Sequence, residues 1–328
     1  MSDSPLNLTL ACWDHDRAQA VLDGSVTIEG VELSSQALPT TTLFPLAVEQ
    51  AKYDITEMSM SSYLMQVSSG TSAYTAIPVF LSRAFRHSGF YVRSDAGIHA
   101  PGDLEGRTVG VPEYQMTAGL WMRGLLASEY GVDLSKISYR TGGLDGGVRK
   151  ERLPLSLPDG FVVEPMAEGQ NLNDLLLDGE IDALFAPKVP RSFLEKNPRI
   201  ERLFPDFASV ERAYHQKTGF FPIMHAIGIR TTLLDAHPWL ASAVYKAFVE
   251  SRDIALKRLQ QVWLGSANRL SLPWLHETME TTRATMGNDY WPYGLEKNYG
   301  EIDWMCQQSV DQYLAKTRLA PEDLFADV

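Results

Sequence analysis

Short apolar runs of strand length alternate with helix-length stretches along almost the whole chain, and this alternation constrains the fold more than any other feature. Parallel strands need a crossover between them, so a chain that keeps returning from helix to strand builds α/β layers. A first strand is read over 6–11, then a helix near 17–23 and a strand near 31–36. A helix near 43–50 and a strand over 54–58 come next. They lead into a helix over 59–69 with Ser61 or Ser62 as its cap, and into strands over 77–81 and 90–92. The polar, turn-rich stretch 94–101 marks a boundary. Beyond it the pattern resumes with strand 108–111, helix 115–130, strand 137–139, a short helix 171–177 closed by Gly179, and strand 181–185. Residues 220–230 read as a returning strand, and 239–259, 272–286 and 301–317 as a helical tail, with 154–165 the most loop-like stretch. The expectation is two α/β lobes. Residues 1–94 and 221–328 form the first, and 95–220 are inserted as the second, with ligand held in the cleft that both sets of strand ends face.

Charge narrows the function classes. Forty-one acidic residues against 29 basic ones give a net charge of −12, a poor match for nucleic acid or an anionic membrane. A few arginines in a cleft still suffice to bind a small anion. Cys12 and Cys306 lie almost a chain length apart, which offers neither a metal spacing nor a disulfide framework and favours a reducing compartment. Leu10-Ala11-Cys12 looks superficially like a lipoprotein cleavage site, but the residues before it hold no basic region and no apolar stretch. With no run of 18 apolar residues either, the expected location is the cytoplasm, without membrane contact. There is no Gly-x-Ser-x-Gly, no phosphate-loop lysine motif and no dinucleotide glycine fingerprint.

Six separated segments, in the same order, resemble the 4,5-dihydroxyphthalate decarboxylase family. They are Ala11-Cys12-Trp13-Asp14-His15-Asp16-Arg17, Glu57-Met58-Ser59-Met60-Ser61-Ser62-Tyr63, Phe85-Arg86-His87-Ser88-Gly89, Val109 through Ala118, Gly219 through His225, and Trp291 through Glu296. The resemblance runs from about residue 6 to residue 325. It implies a two-lobed α/β fold similar to the type II periplasmic binding proteins, with an interlobe cleft and a helical C-terminal tail. It also implies loss of CO2 from a dihydroxylated aromatic dicarboxylate, with no cofactor and no metal. The partner is then the small aromatic dicarboxylate, and a homo-oligomer is compatible with it. The alternatives within this fold are a solute-binding protein for an aromatic carboxylate and a pyrimidine-synthase-like enzyme, although no lysine in the six segments could anchor pyridoxal.

Each candidate residue carries a chemical reading and a bland one. His225 on the returning strand and His87 are candidates for the proton donor, because histidine titrates near neutral pH; either could instead be a buried structural histidine. Asp14, after the first strand, is the next candidate acid and could equally cap a helix. Arg17, Arg83 and Arg86 suit a carboxylate, or local ion pairs. Tyr114, Gln115, Met116 and Thr117 lead into a helix whose first N–H groups attract an anion, and Ser61 sits at another helix start. Trp291 and Tyr293 could cover an aromatic ring or fill a core. Asp14, His15 and Asp16 have a spacing that invites a metal but no second ligand cluster. The family pattern carries an aromatic residue where this chain has His15, so the resemblance gives His15 no role.

Overall fold

The computed structural model describes residues 4–147, 149–265 and 270–328. Eleven strands are found among them. In chain order they are β1 (Leu6–Cys12), β2 (Val31–Ala37), β3 (Ile55–Ser59), β4 (Tyr74–Arg83), β5 (Phe90–Arg93) and β6 (Thr108–Val111). Then come β7 (Ser138–Thr141), β8 (Val163–Pro165), β9 (Ala183–Phe185), β10 (Ile200–Arg202) and β11 (Ile223–Arg230).

They form two sheets in two compact units. The first unit holds Met1–Arg83, Ile223–Asp303 and Leu319–Val328, and its sheet runs β2-β1-β3-β11-β4. β1 is parallel to both β2 and β3, whereas β11 is antiparallel to β3 and β4. β3 reads Ile-Thr-Glu-Met-Ser and is buried along its whole length, as a central strand covered on both faces must be. The second unit holds Ala84–Pro222 and Trp304–Arg318, with a sheet ordered β10-β5-β9-β6-β7-β8. Its core gathers Tyr91, Leu172, Leu175, Leu176, Ile181, Leu184 and Ile200.

Two α/β units agree with the sequence; their limits differ from it. The boundary lies at Arg83, not at 94, because β5 pairs antiparallel with β9 and β10 and so belongs to the second sheet. The tail is not wholly part of the first unit. Trp304 stacks on Trp121 at 4.3 Å, and Gln312 accepts a 2.9 Å hydrogen bond from buried Arg123, which ties this stretch to the second unit. The helix read over 59–69 spans Met60–Ser68, and its capping position is Ser59, without a side-chain cap bond, not Ser61 or Ser62. A helix at Phe207–Thr218 escaped the sequence reading, although Asp206 accepts from Ser209 N–H at its start and Gly219, at φ 75°, ends it.

Candidate active site

β1 and β3 end together, because they are parallel, and antiparallel β11 begins at the same edge of the sheet. The carboxyl ends of parallel strands are where such sheets expose side chains for chemistry. Ser59 faces His225 across the β3–β11 ladder and Glu57 faces Ile227, so Glu57 and His225 are diagonal neighbours on one face. The pairing of β11 with β4 shifts register on both sides of His225, the kind of irregularity that re-aims a side chain. His15 follows the end of β1 by three residues.

These three side chains meet. Glu57 is fully buried, and its Oε1 lies 2.9 Å from His15 Nε2 and 2.7 Å from His225 Nδ1. Its Oε2 accepts the Trp13 backbone N–H at 2.7 Å. Burial by itself would push this carboxyl up. The hydrogen bonds that His15 and His225 make to it outweigh burial and hold the group well below the usual carboxylate range, so Glu57 is a buried anion. His225 packs edge-on against Phe44 at 4.8 Å, and His15 edge-on against Trp13 at 5.6 Å. Both histidine side chains keep a small opening to solvent, 9% for His15 and 16% for His225.

Arg17 completes the cluster. Its Nη2 lies 2.9 Å from His15 Nδ1, its Nη1 donates to Asp16 Oδ1 at 2.8 Å, and its Nε donates to the Leu81 carbonyl at 2.5 Å. The Trp291 ring covers the guanidinium at 4.0 Å and donates its own N–H to the Phe80 carbonyl. Cys12, at the end of β1, is no nucleophile. Burial, reinforced by Glu57 and Asp14, pushes its thiol well up, so it stays protonated near neutral pH.

The expected site residues divide sharply. His225, Arg17 and Trp291 are in this cluster; Asp14 is nearby in sequence but exposed. Arg83 is buried and committed: it donates to Glu301 Oε2 at 3.3 Å, to the Pro292 carbonyl at 3.0 Å and to Asn298. Both terminal nitrogens of Arg83 are thus engaged in the core. Tyr293 is buried, with an unpartnered hydroxyl that burial pushes up. Ser61 is fully buried in the first turn of its helix.

The remaining candidates lie in the second unit. His87 is packed among Phe204 and Tyr214 with neither ring nitrogen hydrogen-bonded, and burial lowers it to about 4, which leaves it uncharged and out of contact with any acid–base partner. Burial lowers Arg86 to about 10, opposed by the charge of Glu211. The helix that Tyr114 to Thr117 lead into is Thr117–Tyr130, and its approach does bind a carboxylate, the chain's own. Glu151 accepts from Tyr114 N–H at 2.5 Å and from Gln115 N–H at 3.1 Å, while Met116 N–H goes to the Glu113 carbonyl. Burial pushes Glu151 up against those bonds, with help from Glu113, which itself pairs with Arg149 and Arg152. Thr117 is buried in the first turn.

Glu57 and His15 were missed as site residues. The available signal was an acid inside an otherwise apolar strand, and a histidine just past a strand end. His15, Glu57 and His225 are also the one trio among the described residues whose ligand atoms all lie within 4.8 Å, a span that suits a metal ion. Asp14 and Asp16 take no part in it, and Asp16 is spent on Arg17.

The fold is that of the periplasmic binding proteins. It is similar to the aliphatic sulphonate-binding protein SsuA of Escherichia coli, with a TM-score of 0.55 at 11% identity over 98% of both chains. It is also similar to the sulfonate-binding SsuA of Methylobacillus flagellatus, at 0.56 and 10% identity over 98% and 92% of the chains. No protein-family model matches the sequence. A 4,5-dihydroxyphthalate decarboxylase of Pseudomonas putida is 39% identical over 201 residues, 61% of this chain and 78% of the relative. The decarboxylase of the same name from Comamonas testosteroni is 40% identical over 322 residues, 98% of this chain and 97% of the relative. Identity at that level, end to end in both chains, shows that this chain belongs to the 4,5-dihydroxyphthalate decarboxylase family.

Proposed function

We propose that the protein converts 4,5-dihydroxyphthalate to 3,4-dihydroxybenzoate and CO2, with His225 as the acid that protonates the ring. Each carboxylate of this substrate has a hydroxyl para to it. Electron donation from that hydroxyl lets the carbon bearing the departing carboxylate accept a proton. The C–C bond to CO2 then breaks, its electron pair returns to the ring, and aromaticity is restored. One proton is consumed from the enzyme and regained from solvent. The electron sink is the substrate's own ring, so the reaction needs no cofactor.

The observation that carries this reading is the buried Glu57 carboxylate held between His15 and His225 at 2.9 and 2.7 Å. It gives an imidazole a fixed orientation and an anionic partner, which is what a general acid working near neutral pH requires. Support for a small, soluble substrate rather than a macromolecule comes from the net charge of −12. No helix among the described residues is long and apolar enough to cross a membrane. Cys12 and Cys306 are both buried free thiols, which fits a reducing compartment such as the cytoplasm.

The test is incubation of the purified chain with a panel of hydroxylated phthalates, following CO2. Release from 4,5-dihydroxyphthalate in deuterium oxide, with one deuterium placed on the vacated ring carbon, is the expected result. Tight binding without CO2 would turn the reading to a solute-binding protein.

A further inference from the structure

We propose that Arg17 is a positioning residue: acting through His15 and Glu57, it fixes His225 with Nδ1 as a donor to Glu57 and Nε2 as the nitrogen from which the transferred proton leaves. The proposal rests on the decarboxylase reading above, and it concerns how the acid is prepared.

A guanidinium nitrogen carries N–H groups and no acceptor. Arg17 Nη2 faces His15 Nδ1 at 2.9 Å, so Nδ1 must be the unprotonated, accepting nitrogen of that ring. The single ring proton of His15 is then on Nε2, and it is donated to Glu57 Oε1 at 2.9 Å. His15 is thereby locked as a neutral ring in one tautomer. Protonating it would set a second N–H against the guanidinium.

Glu57 passes the constraint on. Its Oε2 is taken by Trp13 N–H and its Oε1 by His15, and the same Oε1 lies 2.7 Å from His225 Nδ1. An ionised carboxylate only accepts, so His225 Nδ1 must donate. The other ring nitrogen, Nε2, is the one from which a proton can reach a substrate. Because His15 is held with Nδ1 as an acceptor, His225 is the imidazole of the pair that can carry a proton on both nitrogens.

Arg17 is itself held in place. Leu81 O fixes its Nε, Asp16 its Nη1, and the Trp291 ring covers its face at 4.0 Å. The device is thus a chain of four side chains in which the residue farthest from His225 decides the state of the nearest.

Histidine-selective ¹⁵N NMR and steady-state kinetics test it together. In the wild type near pH 7, His15 should show the neutral Nε2–H pattern, and His225 a protonated Nδ1. In Arg17→Met, His15 should lose that single tautomer. That variant's kcat should fall by about tenfold or more, with KM changed by no more than about threefold. Arg17→Lys, which still presents only donors, should recover part of kcat and the His15 pattern. Wild-type His15 carrying a proton on Nδ1 at neutral pH would overturn the proposal. So would an Arg17→Met variant with lost activity and an unchanged His15 spectrum, since Arg17 would then act by packing alone. The spectra need no turnover and the wild-type spectrum needs no variant to fold. A wild-type protein that releases no CO2 would overturn the decarboxylase reading while leaving the proton placement tested.

Discussion

His87 ties the stability of the second unit to pH through its burial. Its ring is 1% exposed, lies 5.4 Å from the Phe204 ring and 5.6 Å from that of Tyr214, and bonds through neither nitrogen. Burial lowers it from 6.5 to about 4, against a weak upward pull from Glu129. The folded pKa is depressed, so the neutral ring is the stable one. The contribution is fully present above pH 6.5, where both states are uncharged, and is lost as pH falls toward 4, where the unfolded chain binds a proton that the folded one refuses. At 1.36 kcal/mol per pKa unit, a fall from 6.5 to about 4 is worth about 3 kcal/mol when fully expressed. About 2 kcal/mol of it is gone at pH 5 and about 3 at pH 4.

The assay is urea unfolding of wild type and His87→Leu at pH 8, 6.5, 5 and 4, comparing the difference between the two at each pH. Other titrating groups cancel in that difference, because they are common to both chains. The variant should gain on the wild type by about 3 kcal/mol between pH 8 and pH 4, with similar m-values. Curves that stay parallel within about 0.5 kcal/mol would show that His87 is protonated in the fold, and the account of its surroundings would fail.

Arg83→Met should destabilise the first unit by about 3–5 kcal/mol, because it removes the guanidinium that pairs with buried Glu301. Adding Glu301→Gln should recover part of the loss in thermal unfolding, and no loss in the single variant would refute the pairing. His225→Asn should lower kcat by about 10²-fold or more while affinity for a non-reactive substrate analogue stays within about threefold, read by steady-state kinetics and calorimetry. Normal turnover would move the proton donor elsewhere. Dialysis against chelator should leave kcat unchanged, and loss restored by a divalent ion would turn the histidine–glutamate cluster into a metal centre.

The parts of the fold that were legible are those whose signal is local. β1, β3 and β11 were read close to their limits because each carries a continuous or alternating apolar run. β8 and β10 are three residues each, too short to show any period, and exist only through their pairing partners. The helix Phe207–Thr218 was missed because it buries only Tyr214, so no apolar stripe announced it; its caps were the usable signal. The same distinction governs the site. His225 was a candidate from its segment, but Glu57 joins the cluster only through partners 42 and 168 residues away. Arg83 shows the matching difficulty. Nothing near it in sequence reveals that Glu301, 218 residues later, neutralises it inside the core.

Two imidazoles and a carboxylate within 4.8 Å have the composition of a metal site, and the choice between metal and proton chemistry turns on a fourth side chain. To bind a cation, His15 would have to offer the lone pair of Nε2, which sends its proton to Nδ1. A metal-bound histidine hands that other N–H to a carboxylate, a carbonyl or water. Here Nδ1 faces Arg17, which has only donors, so ligation would exchange a made hydrogen bond for two opposed N–H groups. Leaving such a group unsatisfied costs about 1–3 kcal/mol. The guanidinium charge beside His15 adds repulsion toward any dication. With His15 a donor, the same geometry is satisfied in full: Arg17 donates to His15, His15 and His225 donate to Glu57, and Glu57 accepts from both and from Trp13. Every proton in the chain then has one place, and the histidine left to exchange one is His225.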